Sequence, residues 1–545
     1  METNGRPDAL DRMPRAQAAQ AWNERGNALA DLKKFEQAVT SYRQALAIEP
    51  EFAEALFNLG FALQELERHE EALACYDQLL RVQPDHPKAL SNRGIALLAL
   101  NRNEEALASH LRALAADPAN PDAHFNLGFV FHELNRHEEA LASYVQALAI
   151  KPDHPAALSN RGMVLEYLGR HEHALISYDR ALAIEPDSVE ALSNRGSALQ
   201  NLERHDEALA SYAGAQAIQP AHADAHWNES LCRLMLGDFE GGWRKYEWGW
   251  KNGQRGRQRE FSQPLWLGQE PLAGKTILLH AEQGLGDTLQ FCRYASRVAA
   301  LGARVVLEVQ HPLKTVLANL EGVHQVLAKG EALPAFDYHC PLLSLPLAFA
   351  TRLDTIPAQR AYIRSDSHRV NRWRGILGAK AQPLVGLVWS GRSEHQKDHN
   401  RSIPLSRMVD LSTSKVRFVS LQKEVRNEDR KVLDERGDIL DFSNELEDFA
   451  DTAALIELMD LVVCIDTSVA HLAGAMGKPV WVLLAKNPDW RWLLNRKDSP
   501  WYPSARLFRQ QTIGDWTSTI RAVAAELEAY CVRRPRFPWA RFLGG

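Results

Sequence analysis

The sequence predicts an α-helical solenoid followed by an α/β region of two Rossmann-like lobes. Two observations lead to this prediction for a chain of 545 residues. Small residues, rings and prolines return every 34 residues through roughly the first half, as in a helical repeat array. Beyond Pro271, short apolar runs alternate with helical segments, which is typical of βαβ units around parallel sheets. Charge divides at the same place, because residues 1–250 carry a net −14 and residues 251–545 a net +8.

The 34-residue period is that of the tetratricopeptide repeat, in which two helices pack closely at small residues and a proline ends the second helix. We predict a polar segment over 1–18 and repeats over 19–250. Six repeats are full, and a degenerate seventh is a capping repeat that docks onto the next domain. The glycine and ring columns that mark the period are Gly26, Gly60, Gly94, Gly128, Gly162 and Gly196, with Tyr42, Tyr76, His110, Tyr144, Tyr178 and Tyr212.

A column of asparagines keeps the same step on the first helix of each repeat, which lines the concave face of such a superhelix. An amide both donates and accepts, so it can pair with an extended polypeptide of any sequence. The alternative is that each asparagine bonds to the neighbouring repeat. The column resembles the asparagine ladder of O-GlcNAc transferase, and that resemblance implies a bound polypeptide acceptor. Its members are Asn58, Asn92, Asn126, Asn160, Asn194 and Asn228.

Composition excludes several classes of protein. With 45% hydrophobic and 24% charged residues, the chain is not collagen-like, disordered or a small disulfide scaffold. No apolar run approaches the roughly 18 residues of a membrane span, and no secretory signal is visible. The six cysteines form no Cys-x-x-Cys pair. We therefore expect a cytoplasmic protein with reduced thiols.

The second half predicts two lobes after a linker over 251–272: a first lobe over 273–375, and a second over 376–545 that includes a C-terminal helix. Ligands of such sheets lie beyond the carboxyl ends of the strands. The predicted strands are 276–280, 305–309, 385–389, 418–421, 461–465 and 480–484.

The glycine-rich loop after the first strand admits two interpretations. Gly284 and Gly286, with Glu308 ending the next strand, suggest a dinucleotide site, although Leu289 stands where the third glycine belongs. Alternatively, Gly286 lets an acceptor approach and Asp287, at a helix N-terminus, acts as a general base. Asp287 could also simply cap its helix.

The second lobe contains the stronger motif, Asp466-Thr467-Ser468 with His471 one turn later, which follows a buried strand and opens a helix. Backbone N–H groups and hydroxyls at such a helix N-terminus suit a diphosphate. Cations that could neutralise it without a metal follow the first strand of this lobe. The remaining candidates for donor contact are Ser390, Gly391, Arg392, Lys397, Arg401, Gln422, Lys423 and Trp490, the last of which could stack on a base or instead close the hinge.

These residues resemble the heptosyltransferase-like family of glycosyltransferases, family 9. The resemblance is carried by Gly286-Asp287, by Arg401-x-x-Pro404 and by Asp466-Thr467 with His471. It implies a GT-B fold and an inverting transfer without metal or other cofactor, the nucleotide sugar being the co-substrate. It also implies that Asp287 is the base. Ser468 and Arg401 depart from the Gly and Lys usual in the family.

We therefore expect a glycosyltransferase that modifies a polypeptide recruited by the solenoid, with no nucleic-acid partner. The layout resembles bacterial flagellin glycosyltransferases, which suggests flagellin as the acceptor. Two alternatives stay open: a non-catalytic scaffold with a degenerate transferase domain, and a nicotinamide enzyme built on the first lobe.

Overall fold

The structure is a computed structural model that describes residues 14–392, 398–411 and 415–533. The described residues fall into two compact units that divide between Pro220 and Ala221. The predicted fold class is confirmed: the first unit is an α-helical solenoid, and the second contains two parallel sheets with helices around them, consistent with a GT-B-like fold.

The first unit consists of six helical hairpins, one for each predicted full repeat. Prolines open the first helix of several hairpins, where a missing N–H costs nothing. The helices are α1 Arg15–Asp31, α2 Phe35–Ile48, α3 Ala53–Glu65, α4 His69–Val82, α5 Pro87–Ala99, α6 Asn103–Ala116, α7 Pro121–Glu133, α8 His137–Ile150, α9 Pro155–Tyr167, α10 His171–Ile184, α11 Val189–Asn201 and α12 His205–Ile218.

The glycine column marks where the two helices of each hairpin touch. A Cβ atom placed on any of the six glycines would lie between 2.3 and 2.8 Å from the ring of the residue 16 positions later. Those rings are buried, for example Tyr76 and Tyr178 at 0% exposure. The period therefore follows from packing, because a ring fills the space that only glycine leaves open.

His110 occupies the ring column in the third hairpin, where the other hairpins have tyrosine. Its ring is fully buried against Gly94, and neither ring nitrogen has a hydrogen-bond partner in the described residues. Burial lowers the pKa of His110 to about 4 from 6.5. The contribution of His110 to stability is therefore intact above pH 6.5 and is lost as pH falls toward 4, because the unfolded chain binds the proton first.

We expect His110→Tyr to stabilise the chain increasingly as the medium becomes acidic. The gap in unfolding free energy between variant and wild type should widen by up to about 1.4 kcal/mol per pH unit. Thermal unfolding of the full chain at about pH 7.5 and about pH 5 measures it. His173 is exposed, so His173→Tyr is the control and should show no such widening. A gap for His110→Tyr that is constant with pH would contradict the buried neutral ring.

The predicted capping repeat lies in the second unit, as helices α13 Ala223–Leu236 and α14 Phe239–Tyr246. Trp243 Nε1 donates to the carbonyl oxygen of Thr351 at 3.1 Å, and Phe239 stacks near Trp501 with ring centroids 6.0 Å apart. The compact units therefore divide about 30 residues before the predicted boundary at 250. The reason is that the aromatic face of α14 is buried in the core of the α/β lobes.

All strand pairs in the two sheets are parallel. The first sheet has the order β3-β2-β1-β4 and the second β10-β9-β8-β5-β6-β7. The order reverses beside β1 and beside β5, which places the ligand-binding crevices of the two sheets at the carboxyl ends of these strands. The strands are β1 Thr276–His280, β2 Arg304–Val309, β3 Val323–Ala328, β4 Tyr338–Pro341, β5 Leu384–Val388, β6 Arg417–Ser420, β7 Ile439–Leu440, β8 Leu461–Ile465, β9 Val480–Leu484 and β10 Ala505–Arg509.

Helices cover the sheets, and the helix that spans the predicted lobe boundary at 375 packs on the second lobe. This helix, α19, is tied there by Trp373 Nε1, which donates to Asp451 at 3.2 Å. In the described residues, no helix is long and apolar enough to cross a membrane. The remaining α-helices are α15 Leu285–Phe291, α16 Ala295–Ala300, α17 Lys314–Leu317, α18 Leu345–Ala348, α19 Ser367–Leu377, α20 Asp398–Arg401, α21 Leu405–Met408, α22 Asn427–Glu435, α23 Phe449–Leu458, α24 Ser468–Ala475 and α25 Thr517–Arg533.

Short 3-10 helices connect several of these elements. They are Glu247–Trp250, Cys292–Tyr294, His311–Leu313, Leu342–Ser344, Leu353–Thr355, Val409–Leu411 and Trp490–Trp492.

Candidate functional site

A cavity of about 760 Å³ lies between the two sheets of the second unit. The loops that follow β1, β5, β6, β8 and β9 line it, as expected for crevices at the carboxyl ends of parallel strands. Most of the predicted site residues of this unit are among its walls, drawn from both lobes. They are Gly286, Asp287, Ser390, Gly391, Arg392, Arg401, Gln422, Lys423, Asp466, Thr467, Ser468 and His471.

Asp287 lies in the first turn of α15, just after β1, and its side chain is 19% exposed. Its Oδ2 accepts a hydrogen bond from Gly284 N at 2.8 Å, and its Oδ1 is ion-paired with Arg491. Burial raises the pKa of Asp287, although the positive charge of Arg491 opposes the shift. The carboxylate therefore caps its helix, as one of the interpretations held, and also lines the cavity.

Arg491 is a site residue that the sequence did not identify. It belongs to the 3-10 helix after β9, lines the cavity and is 7% exposed. Its Nη1 lies 2.8 Å from Asp489 Oδ1, and its Nη2 contacts Asp287. The available signal was an arginine in a loop crowded with tryptophans, a setting in which a guanidinium is held flat against rings.

Gly286 lets the two lobes approach each other at the cavity wall. A Cβ atom on Gly286 would lie 2.8 Å from His471 Cδ2 and 3.6 Å from the Cα of Ser468. The first turn of α15 is thus in contact with α24 of the other lobe. The space that a Cβ atom would need is thus filled by His471, while Gly286 also lines the cavity, and its contact with an acceptor stays a prediction.

The N-terminus of α24 faces the cavity with unused hydrogen-bonding groups. No side chain caps this helix, which begins at Ser468. Thr467 Oγ1, Ser390 Oγ and Arg401 Nε are buried and have no hydrogen-bond partner in the described part of the chain. Buried polar atoms are rarely left unsatisfied in native proteins. A polar, anionic ligand at the helix N-terminus would satisfy them.

The His471 imidazole is neutral. Burial lowers its pKa to about 3, and the nearby Arg491 charge adds to the shift. Nδ1 lies 2.9 Å from the Tyr502 hydroxyl, and the ring stacks on Trp492 with centroids 5.5 Å apart. This side chain therefore acts as a fixed, uncharged part of the wall.

Asp466 has a raised pKa, in contrast to the lowered pKa of His471. Burial raises the pKa of the Asp466 carboxyl to about 6, and the negative charge of Asp489 adds to the rise. Arg401 Nη1 donates to the Asp466 carbonyl oxygen at 3.1 Å, so the guanidinium is held beside the start of α24. An arginine fixed next to a helix N-terminus strengthens the attraction of this wall for anions.

Gln422 and Lys423 line the cavity but are engaged with the backbone. Gln422 Nε2 donates to the Ser390 carbonyl oxygen at 3.0 Å, which joins the loops after β5 and β6. Lys423 Nζ donates to the carbonyl oxygens of Ser443 and Leu446. Both side chains therefore shape the wall. Lys397 lies outside the described residues.

Trp490 does not line the cavity. It is 3% exposed and packs edge-on against Trp243 at 5.2 Å between ring centroids, with Tyr246 and Trp501 nearby. This placement does not fit the expectation that Trp490 stacks on a donor, because its ring is enclosed by the aromatic residues of α14, by Trp501 and by the Arg491 guanidinium.

The acidic residue that the dinucleotide interpretation requires is buried in the structure. Glu308 is 2% exposed and is ion-paired with Arg259, so its carboxylate is not presented to a ribose. Burial lowers the pKa of the adjacent His280 to about 3. The end of β2 is therefore closed by the linker rather than open to a cofactor.

The asparagine column divides into engaged and free amides. Asn58 Nδ2 donates to Asn23 and Asn27 of the preceding hairpin at 3.2 and 2.9 Å, and Asn92 Nδ2 donates to the Tyr76 hydroxyl at 3.3 Å. Asn160 lies near the Tyr144 hydroxyl, which has no hydrogen-bond partner in the described residues.

The remaining members of the column differ from Asn58 and Asn92 in their side-chain hydrogen bonds. For Asn126 and Asn194, both half-buried, the structure shows no side-chain partner in residues 14–392 or the later described stretches. Asn228 lies on α13, in the second unit. Bonding to the neighbouring repeat thus accounts for the start of the column and not for all of it.

Comparison with known families gives two kinds of match. Models described as tetratricopeptide repeats match residues 26–67, 57–121, 121–186, 159–223 and 193–242. The model described as glycosyltransferase family 9 (heptosyltransferase) matches residues 416–513, which include α24 and most of the second sheet.

A curated relative is Protein FlbA of Caulobacter vibrioides, 27% identical over 323 residues. The match covers 54% of this chain and 54% of FlbA, so the chain spans about half the length of the curated relative it matches.

The solved structures that match part of this chain include the following two. A tetratricopeptide repeat protein from Parabacteroides merdae is 17% identical with a TM-score of 0.37, covering 42% of this chain and 91% of that one. PilF of Pseudomonas aeruginosa is 22% identical with a TM-score of 0.36, covering 39% and 96%. At these TM-scores neither likeness adds to the fold described above.

Proposed function

This chain joins tetratricopeptide repeats to a C-terminal glycosyltransferase family 9 domain, and we propose that it transfers a sugar from a nucleotide-activated donor to a polypeptide. The transfer inverts the anomeric carbon and uses no metal. One observation carries the proposal. A single cavity holds the Asp287 carboxylate from the first lobe and, from the second, the uncapped N-terminus of α24 with its unsatisfied polar atoms.

Asp287 would act as the general base. The acceptor oxygen attacks the anomeric carbon while its proton passes to an oxygen of Asp287, and the bond from that carbon to the donor phosphate oxygen breaks. Because one displacement forms and breaks these bonds, the configuration inverts. The raised pKa of Asp287 supports this role, since a base works best with a pKa nearer to the working pH.

The opposite wall would stabilise the leaving diphosphate. The N–H groups at the start of α24, the Thr467 hydroxyl and the Arg401 guanidinium are all donors held in place before the donor binds. Such preorganised donors stabilise charge as it develops, and a guanidinium grips phosphate oxygens in pairs. These groups would supply the electrostatic stabilisation that a metal supplies in other transferases.

The solenoid would recruit the acceptor polypeptide through the amides that it does not use itself. Asn126 and Asn194 can each donate to and accept from an extended backbone. Flagellin is our candidate acceptor, on the layout resemblance alone.

We expect the double variant Asn126→Ala with Asn194→Ala to weaken acceptor binding by about thirtyfold, since two hydrogen bonds of about 1 kcal/mol each are lost. Nucleoside diphosphate binding should not change. The measurement is KM for the acceptor. The matched control is Asn58→Ala with Asn92→Ala, because those amides bond within the solenoid. Equal effects of the two double variants would contradict a specific role for the free amides.

The proposed function is tested by measuring nucleotide binding to the chain and the mass of candidate acceptor polypeptides. We expect the full chain to bind at least one of UDP, GDP, CDP, ADP or dTDP in calorimetric titration. Candidate polypeptides co-expressed with it, flagellin among them, should gain the mass of a sugar. If the folded chain bound none of these nucleotides and modified none of the polypeptides, the scaffold alternative would replace the proposal.

A further inference from the structure

We infer that Arg491 is a catalytic residue that exchanges partners, leaving Asp287 for the diphosphate of the donor, so that donor binding frees the base. The inference rests on the proposed function and adds to it a residue and an order of events: donor before acceptor. It starts from the ion pair between Asp287 of the first lobe and Arg491 of the second.

Arg491 is anchored independently of Asp287. Its backbone N–H donates to Asp489 Oδ1 at 2.9 Å, and its Nη1 bonds to the same oxygen at 2.8 Å. The guanidinium carbon lies 4.2 Å from the centroid of the Trp490 ring. With the side chain 8% exposed, the guanidinium is held at the cavity wall whether or not Nη2 contacts Asp287. Only the partner of Nη2 needs to change.

Arg491 also has an N–H group that is not used in a hydrogen bond within the described chain. Its Nε is buried and has no hydrogen-bond partner within the described chain. A guanidinium offers five N–H donors in a planar fork that matches phosphate oxygens in pairs. The free Nε and the Nη2 that now contacts Asp287 lie on the same edge of that fork, so one phosphate group could accept from both.

The charges in the cavity favour the exchange. Six acidic residues line its wall, namely Asp287, Glu424, Glu447, Asp448, Asp466 and Asp489. Arg401 is engaged with the Asp466 carbonyl oxygen, and Lys423 with two backbone carbonyl oxygens. Arg392 also lines the cavity and is exposed, so among the cavity cations of the described chain Arg491 is the one paired with the carboxylate that must accept a proton. A diphosphate carries more charge than one carboxylate and draws the guanidinium more strongly.

The partner exchange and the sugar transfer form one cycle. With the donor bound, Arg491 faces the diphosphate and Asp287 is free. The acceptor oxygen bonds to the anomeric carbon, its proton moves to Asp287, and the electron pair of the broken bond stays on the phosphate beside Arg491. After the nucleoside diphosphate leaves, Asp287 loses the proton to water and pairs with Arg491 again.

A purely structural ion pair makes the opposite prediction for one variant. If the contact only holds the lobes together, Asp287→Asn loosens the cavity and weakens nucleotide binding. If the contact competes with the diphosphate, Asp287→Asn releases Arg491 in advance and strengthens nucleotide binding.

The experiment is calorimetric titration of the full chain with UDP, GDP, CDP, ADP and dTDP. For the nucleotide that the wild type binds, we expect Kd to fall about three- to tenfold in Asp287→Asn and to rise at least about tenfold in Arg491→Gln, with Arg491→Lys between wild type and Arg491→Gln. Glu424→Gln is the control, because Glu424 lines the cavity and shows no contact with Arg491 in the described part of the chain. Its Kd should change less than that of Asp287→Asn.

The outcomes distinguish failure of the exchange from failure of the proposed function. An unchanged or higher Kd in Asp287→Asn, with a thermal unfolding curve like that of the wild type, overturns the exchange and leaves the proposed function standing. A Kd in Arg491→Gln equal to that of the wild type does the same. Failure of the wild type to bind any of the five nucleotides overturns the proposed function, and this inference with it.

Discussion

Asp287→Asn is expected to lower kcat for sugar transfer by about a hundredfold or more, since positioned general bases contribute about 10²- to 10⁴-fold. The amide keeps an oxygen that can accept the Gly284 hydrogen bond, so the first turn of α15 stays formed. What is lost is the group that takes the acceptor proton. The measurement is the rate of mass gain of the acceptor at saturating donor.

The control for this variant is another aspartate that caps a helix but faces no cavity. Asp366 accepts from Arg369 N at 2.8 Å at the start of α19. Asp366→Asn should leave kcat unchanged, because asparagine caps helices as well as aspartate does. Full transfer by Asp287→Asn would show that the base lies elsewhere in the chain.

The second large effect is expected at Gly286. A methyl group there would lie 2.8 Å from the His471 ring, which cannot yield easily because it is bonded to Tyr502 and stacked on Trp492. The first turn of α15 must shift instead, and Asp287 shifts with it. We expect Gly286→Ala to lower kcat by about a hundredfold, the typical cost of misplacing a reacting group by about 1 Å.

Gly375 in α19 provides the matched change, because a Cβ atom added there meets no heavy atom within 4 Å. Gly375→Ala should leave kcat at the wild-type value. If Gly286→Ala were as active as the wild type, the close approach of α15 to α24 would have no role in placing the base.

Much of the fold could be predicted because it follows from local sequence patterns, namely apolar runs and a regular period. The strands predicted at 276–280, 461–465 and 480–484 have the bounds seen in the structure. The other three differ by one residue, at one end for 305–309 and at both ends for 385–389 and 418–421. Parallel strands buried on both faces are continuous apolar runs, which are easy to recognise. The glycine and ring columns were equally readable, because each pair touches at a constant distance along the chain.

The candidate site was predicted only where its residues follow strands. Asp287, Ser390, Arg401 and Thr467 come directly or shortly after β1, β5 and β8, so topology brings them to one cavity. The predicted contact of Trp490 with a donor differs from its observed burial, because a tryptophan in a loop is as suited to packing as to stacking on a ligand. Only its neighbours from α14 decide between the two.

The sequence by itself determined the repeat array, the two parallel sheets and the strand ends that carry the predicted site, because periodicity and apolar runs depend on near neighbours. Tertiary structure alone decided two things: the side chain of His471 fills the space beside Gly286, and Arg491 pairs with Asp287. Residues 287 and 491 lie 204 positions apart. A contact across that separation leaves no local pattern, since it exists only once both lobes have folded against each other.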